Sequence, residues 1–130
     1  MIVDASAIVA ILRAEPEAYE FAETLKLAPV CRMSAVTYVE TGIVIDCNRD
    51  PVLSNRLDEL IQKVEIQVES VTRRQAEAAR RAYRDFGKGR HKAGLNLGDC
   101  FAYALAKDLD EPLLFKGRAF RHTDVEVASY

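Results

Sequence analysis

The sequence predicts a three-layer α/β domain with a mostly parallel central sheet, and three observations carry that expectation. Short β-type runs at Ile2–Asp4, Val30–Met33, Ile66–Val71 and Leu113–Phe115 alternate with longer segments of helical periodicity. Strands that alternate with helices are normally joined by crossovers into a sheet covered on both faces. The 130 residues, 49% hydrophobic and 29% charged, are enough for one domain with a substantial core.

Taken in order, Ile2–Asp4 is the first strand, and Ser6 is expected to cap a helical turn through Leu12. Pro16 fits the first turn of a second helix to about Leu27, with Ala18, Phe21, Ala22 and Leu25 spaced along its core face. After Pro29 and the second strand, Ser34 caps a helix from Ala35 to about Asp46. Gly42 in its interior costs about 1 kcal/mol against Ala, which suggests close packing by another backbone. Residues 52–64 resume helical spacing, and this pair of helices is a candidate interface. Thr72 and Gln75 form a capping-box pair for a helix that ends near Phe86 at Gly87. Asn96 caps a last apolar helix through Lys107, and Val125–Val127 is a candidate edge strand.

Composition narrows the functional classes. A net charge of −2 gives no global attraction to nucleic acid or anionic lipid, so any polyanion must meet a local basic patch. No apolar run is long enough to span a bilayer and no basic leader precedes Asp4, so a cytosolic, membrane-free protein is expected. Cys31, Cys47 and Cys100 are odd in number and widely spaced, which argues for buried free thiols rather than disulfides or zinc. His91 and His122 are isolated, and neither a transition-metal motif nor a Ser/His/Asp order is present.

Three carboxylates stand out by position. Asp4 is at a strand end, where it is both a turn former and a well-placed ligand. Glu40 lies within a helix that is apolar almost all round, so either a partner or an edge position must satisfy it. Asp99 falls in a first helical turn, where capping and ligation are both open. A parallel α/β layout can gather these acids. Like charges at one point would raise at least one pKa, whereas a divalent cation keeps all of them ionised. All-oxygen ligands favour Mg2+, with Mn2+ as a substitute, and such a site activates water for in-line attack on a phosphodiester. Between Gly87 and Asn96 a Gly-rich loop carries Lys88, Arg90, His91 and Lys92, the local basic patch. The Arg-rich helix before it, with Arg73, Arg74, Arg80, Arg81 and Arg84 among acids, reads as a solvated face.

Four stretches, MIVDASAIVAIL, MSAVTYVETGIVI, DFGKGRHKAGLNLGDCFAYALAK and PLLFKGRAFRHTDV, taken in order, resemble the PIN-domain ribonuclease toxins of VapBC toxin–antitoxin systems. The resemblance implies a PIN-like fold and a metal-dependent endoribonuclease, often a homodimer. It implies neutralisation by a small VapB-like antitoxin, through which alone DNA is contacted. By position it makes Asp4, Glu40 and Asp99 the acidic cluster and Ser6 the hydroxyl residue after the first acid. One departure stands out. Similar proteins read Lys-Gly-x-Asp-Phe near the C-terminus, whereas here Lys116, Gly117, Arg118, Ala119 and Phe120 follow one another, so the fourth acid is missing.

Asp124 is the nearest substitute. The expectation is RNA cleavage through metal held by Asp4, Asp99 and Glu40, with Asp124 as a further catalytic acid. Ser6, Lys88, Arg90, Lys92 and Lys116 would hold the substrate phosphates. The alternative is a weakened or silent chain that acts through antitoxin binding and operon regulation.

Overall fold

Ile2 and Leu113 turn to one face of the sheet and Val3 and Leu114 to the other, the alternation that a period of two requires, and all four are fully buried. Each face therefore needs its own layer of helices. In the computed structural model, which describes residues 1–130, the strands are β1 (Ile2–Val3), β2 (Arg32–Ser34), β3 (Gln67–Glu69) and β4 (Leu113–Leu114). Their order is β3-β2-β1-β4 and every pairing is parallel. The helices are α1 (Ala5–Leu12), α2 (Ala18–Leu27), α3 (Ala35–Asp46), α4 (Pro51–Lys63), α5 (Arg73–Phe86) and α6 (Leu97–Leu109), followed by a 3-10 turn, Ala119–His122.

One core joins Ile2 and Leu113 to Ala79 and Ala82 of α5 and to Cys100, Ala104 and Leu105 of α6. The other joins Val3 and Leu114 to Ile8 of α1, Phe21 and Leu25 of α2, Ile45 of α3 and Leu57 of α4. The fold is thus the expected three-layer α/β/α arrangement, with an all-parallel sheet. The chain lays β2 and β3 on one side of β1 and β4 on the other. This reversal opens a crevice beyond the carboxyl end of β1, the usual ligand position in such sheets.

Local chemistry sets the helix starts. Ser34 Oγ accepts from Val36 N at 3.2 Å, and Asp50 Oδ1 accepts from Val52 N at 3.0 Å beside Pro51. Thr72 Oγ1 accepts from Gln75 N at 3.1 Å, but the buried Gln75 amide donates to Asp108 Oδ2 at 3.1 Å. That cap is therefore one-sided rather than a capping box. Asn96 and Asp99 form the complete reciprocal box at the start of α6.

Several expectations are corrected. The cap of α1 is Asp4, and Ser6 lies inside the helix. Helix α2 begins at Ala18, after Pro16 and Glu17 have made the turn. Strand β2 starts at Arg32 and β3 spans only three residues, while Val127 contributes one isolated bridge to Leu113 rather than a strand. A Cβ on Gly42 would meet nothing nearer than Asp46 Oδ2 at 3.9 Å, so no backbone packs there. Cys31 and Cys100 are buried, but Cys47 is exposed at the end of α3.

Candidate active site

The crevice beyond β1 collects acids from three elements. Asp4 caps α1 with its Oδ2, which accepts from Ser6 N at 3.0 Å and from Ser6 Oγ at 2.6 Å. Ser6 Oγ in turn accepts from Lys116 N at 2.9 Å, so the segment after β4 is tied to the first acid through one hydroxyl. Asp4 is 3% exposed, and its other oxygen, Oδ1, is buried with no hydrogen-bond partner. Burial pushes the Asp4 carboxyl up, against the Ser6 hydroxyl and the Ser6 and Ala5 backbone N–H groups, which favour the charged form.

Glu40 sits on α3, half-buried against α6. A Cβ added to Gly98 would collide with its carboxylate, so the absence of a side chain at 98 is what admits Glu40. Burial first, then the charges of Asp4 and Asp99, push the Glu40 carboxyl up to about 7. Asp99 completes the α6 cap, with Oδ2 accepting from Asn96 N at 3.1 Å. Burial raises its carboxyl to about 6, opposed by the Asn96 N–H and assisted by Asp4. Thus Asp4, Glu40 and Asp99, distant in sequence, lie near enough for the charges of Asp4 and Asp99 to raise Glu40 and for that of Asp4 to raise Asp99.

None of the three makes an ion pair with Lys, Arg or His. Nor does any group of three or more His, Cys, Asp or Glu side chains stand at metal-ligating spacing, so the acids converge without closing into a ring. The donor set nevertheless fits a hard divalent cation. An orphaned carboxylate oxygen in a buried position and two further carboxyls raised by burial and then by neighbouring negative charge are what such an ion relieves.

The remaining expected residues are placed differently. Asp124 is not brought to this centre. It accepts from the Tyr103 phenol and pairs with Lys107 Nζ at 3.1 Å. Those two partners lie one and two turns beyond Asp99 along α6, about 6 and 12 Å by helical rise. The Tyr103 contact, then the Lys107 charge, holds the Asp124 carboxyl below its usual range. Ala119 begins the 3-10 turn and packs against the core beside Phe120, so no carboxylate comes from that slot.

Lys116 Nζ is held by Glu15 at 2.8 Å and Glu17 at 3.1 Å, a clamp that sequence reasoning missed. Lys88, Arg90 and Lys92 are exposed and make no ion pair, on a loop tied down by Lys88 N to Leu95 O and Leu95 N to Phe86 O, both 2.9 Å. Gly98 was also missed. A glycine in the first turn of an otherwise apolar helix was the available signal, because it sacrifices helix propensity.

The three-layer α/β/α fold with acids beyond β1 is that of a PIN-like domain, and a model of the PIN domain matches residues 1–126. Ribonuclease VapC28 of Mycobacterium tuberculosis is 59% identical over 129 residues, covering 98% of this chain and 97% of its own. The chain belongs to the PIN-domain family, in its VapC branch. Among solved structures, VapC20 of Mycobacterium tuberculosis, described as a sarcin-ricin loop cleaving toxin, superposes with a TM-score of 0.79 at 14% identity, covering 98% of this chain and 97% of that one. A toxin–antitoxin complex from Klebsiella pneumoniae matches with a TM-score of 0.74 at 15% identity, over 99% of this chain and 97% of that one. At those identities the likeness is one of fold.

Proposed function

We propose that this chain is the toxin of a type II toxin–antitoxin pair, a divalent-metal-dependent endoribonuclease that cuts RNA phosphodiester bonds. The observation that carries this reading is the convergence of Asp4, Glu40 and Asp99 with no Lys, Arg or His side chain paired to them, in a chain 59% identical to a VapC ribonuclease. Asp4 Oδ1 and Asp99 would hold Mg2+ or Mn2+, with Glu40 beside them. Such an ion supplies charge for the phosphoryl oxygens and lowers the pKa of water. Glu40, raised to about 7, is suited to orient the attacking water and take its proton near neutral pH. Ser6 fixes the Asp4 rotamer and so aims its free oxygen, and its hydroxyl would border the bound substrate.

Lys88, Arg90 and Lys92 are free to hold phosphates, while Lys116 must exchange Glu15 and Glu17 for them. Single-stranded or loop RNA fits this open arrangement better than duplex, whose bases are not splayed. A VapB-like antitoxin is the expected partner, as the Klebsiella complex and the fold relationship support, and DNA would be reached only through it. Tyr38, Val39 and Ile43 on α3 and Val52 on α4 are exposed apolar residues that suit a homodimer contact. No helix is long and apolar enough to cross a membrane, and the cytoplasm is where such a toxin would meet RNA.

The decisive experiment incubates the protein with structured RNA and Mg2+ or Mn2+. Cleavage by the wild type and its loss, by at least about 100-fold, in Asp99→Asn is expected; equal cleavage by both would remove Asp99 from the chemistry. The second reading, a weakened or silent chain that acts through its antitoxin, is favoured by Ala119, which supplies no fourth acid. Cleavage that is weak in the wild type and increased by Ala119→Asp would support it.

A further inference from the structure

Between α5 and α6 runs an apolar cleft of about 370 Å3, lined by Ala79, Arg80 and Tyr83 from α5 and by Leu97, Cys100 and Phe101 from α6. It opens beside the acid centre. Leu97, 72% exposed, is shared with the hollow that contains Glu40 and Gly98, so it forms a ridge between the two. Tyr83 and Phe101 are the cleft's aromatic residues, and Tyr83 is held in place despite being 43% exposed. Its phenol donates to Lys88 O at 3.3 Å. Its ring lies on Gly87, where a Cβ would stand 2.6 Å from Cδ2, and the Arg90 guanidinium is 5.8 Å from the ring centroid.

Around the cleft, only the cations at the start of α5 are neutralised by carboxylates. Arg73 and Arg74, at the start of α5, pair with Glu77 and Asp108 at 3.0 Å each. Arg80, Arg84, Lys88, Arg90 and Lys92, which continue from the cleft into the loop, pair with no carboxylate. A preorganised aromatic wall, an apolar slot and unneutralised cations on one rim are the components that bind an unpaired base with its flanking phosphates. The cations match a polyanionic strand rather than an apolar peptide.

We propose that the α5/α6 cleft is a nucleobase subsite, in which one unpaired base of the RNA stacks on Tyr83 against Leu97 while Arg80 and the loop cations hold the adjacent phosphates. This rests on the ribonuclease reading and deepens it. Entry requires a base out of its helix, so the subsite selects loops and single strands over duplex and sets the position of the cut relative to that base.

The test is fluorescence anisotropy of the full chain, without divalent metal, with a labelled RNA hairpin and a series carrying one abasic residue at each loop position. Tyr83→Ala and Tyr83→Leu should weaken binding roughly tenfold, the order expected for losing one base–aromatic stack, and Tyr83→Phe should retain it. One abasic position should weaken wild-type binding by the same factor and add nothing to Tyr83→Leu. Tyr83→Leu keeps apolar packing, so it carries the test should Tyr83→Ala fail to fold.

Wild-type RNA affinity in Tyr83→Leu would overturn the subsite. So would weakened antitoxin binding in that variant with RNA binding intact, which would make the cleft a protein-docking groove. Cleavage with Mn2+ by wild type against Asp99→Asn reads the parent activity separately. Asp99-dependent cleavage with Tyr83-independent binding overturns the subsite alone. Tyr83-dependent binding without cleavage overturns the nuclease reading alone.

Discussion

Asp99 and Asp124 both flank α6, one in its first turn and the other beside Tyr103 and Lys107 farther along, and their surroundings drive their carboxyls in opposite directions. Asp99 is raised to about 6 by burial and has the like charge of Asp4 nearby, offset in part by the Asn96 N–H. Asp124 is lowered by the Tyr103 hydrogen bond and the Lys107 charge, with its side chain 60% exposed. An acid that has found its cation is satisfied and contributes to holding the C-terminal segment on α6. An acid buried beside another acid, with no cationic partner, is held away from its charged form, and perturbation of that kind clusters at functional sites. The contrast separates a carboxylate paired to a cation from one that is not more sharply than sequence position does.

The comparison breaks most readily at Gly98. Its missing side chain leaves the space that the Glu40 carboxylate occupies. Gly98→Ala should push Glu40 away from Asp99 while improving local helix propensity, so cleavage should fall about tenfold to 100-fold with little loss of thermal stability. Unchanged activity would show that Glu40 does not need its present position. The same variant should also lower the Glu40 pKa, which carboxyl NMR can follow.

A smaller effect is expected on the other side of the comparison. Asp124→Asn removes an exposed ion pair and weakens the tie to Tyr103, at a cost of about 1 kcal/mol. Thermal denaturation should show a drop of a few degrees. Cleavage measured well below that transition should stay close to wild type, and a loss comparable to that of Asp99→Asn would restore Asp124 to the chemistry.

What could be read from the sequence was local. The helix Ala35–Asp46 and its Ser34 cap match the structure, as does the Asn96–Asp99 start of α6, because capping and helical periodicity act over a few residues. The layered topology allowed the gathering of Asp4, Glu40 and Asp99, and the family resemblance singled out these three by position. Contacts between distant segments did not follow. Gly42 drew attention by being mid-helix, whereas Gly98, whose Cβ space is filled from another helix, is the glycine that matters. Asp124 resembled a replacement acid until Tyr103 and Lys107, 21 and 17 residues away, were seen to engage it. Lys116 looked free for phosphate, yet Glu15 and Glu17 reach it across about 100 residues of chain.

The pH dependence follows from the raised carboxyls. With folded pKa values of about 7 for Glu40 and about 6 for Asp99, both above their ordinary values, the metal-free fold binds more protons than the unfolded chain between roughly pH 4 and pH 7. Its stability therefore falls as pH rises through that window, and a divalent ion should restore it. Isothermal titration of Mn2+ in buffers of different ionisation enthalpy reads the coupling between these carboxyls and the metal. At pH 6 binding should release roughly one to two protons, and the release should vanish near pH 8 as apparent affinity levels off. No divalent binding, or binding with neither proton release nor pH dependence, would contradict the assignment of Asp4, Glu40 and Asp99 as a metal site.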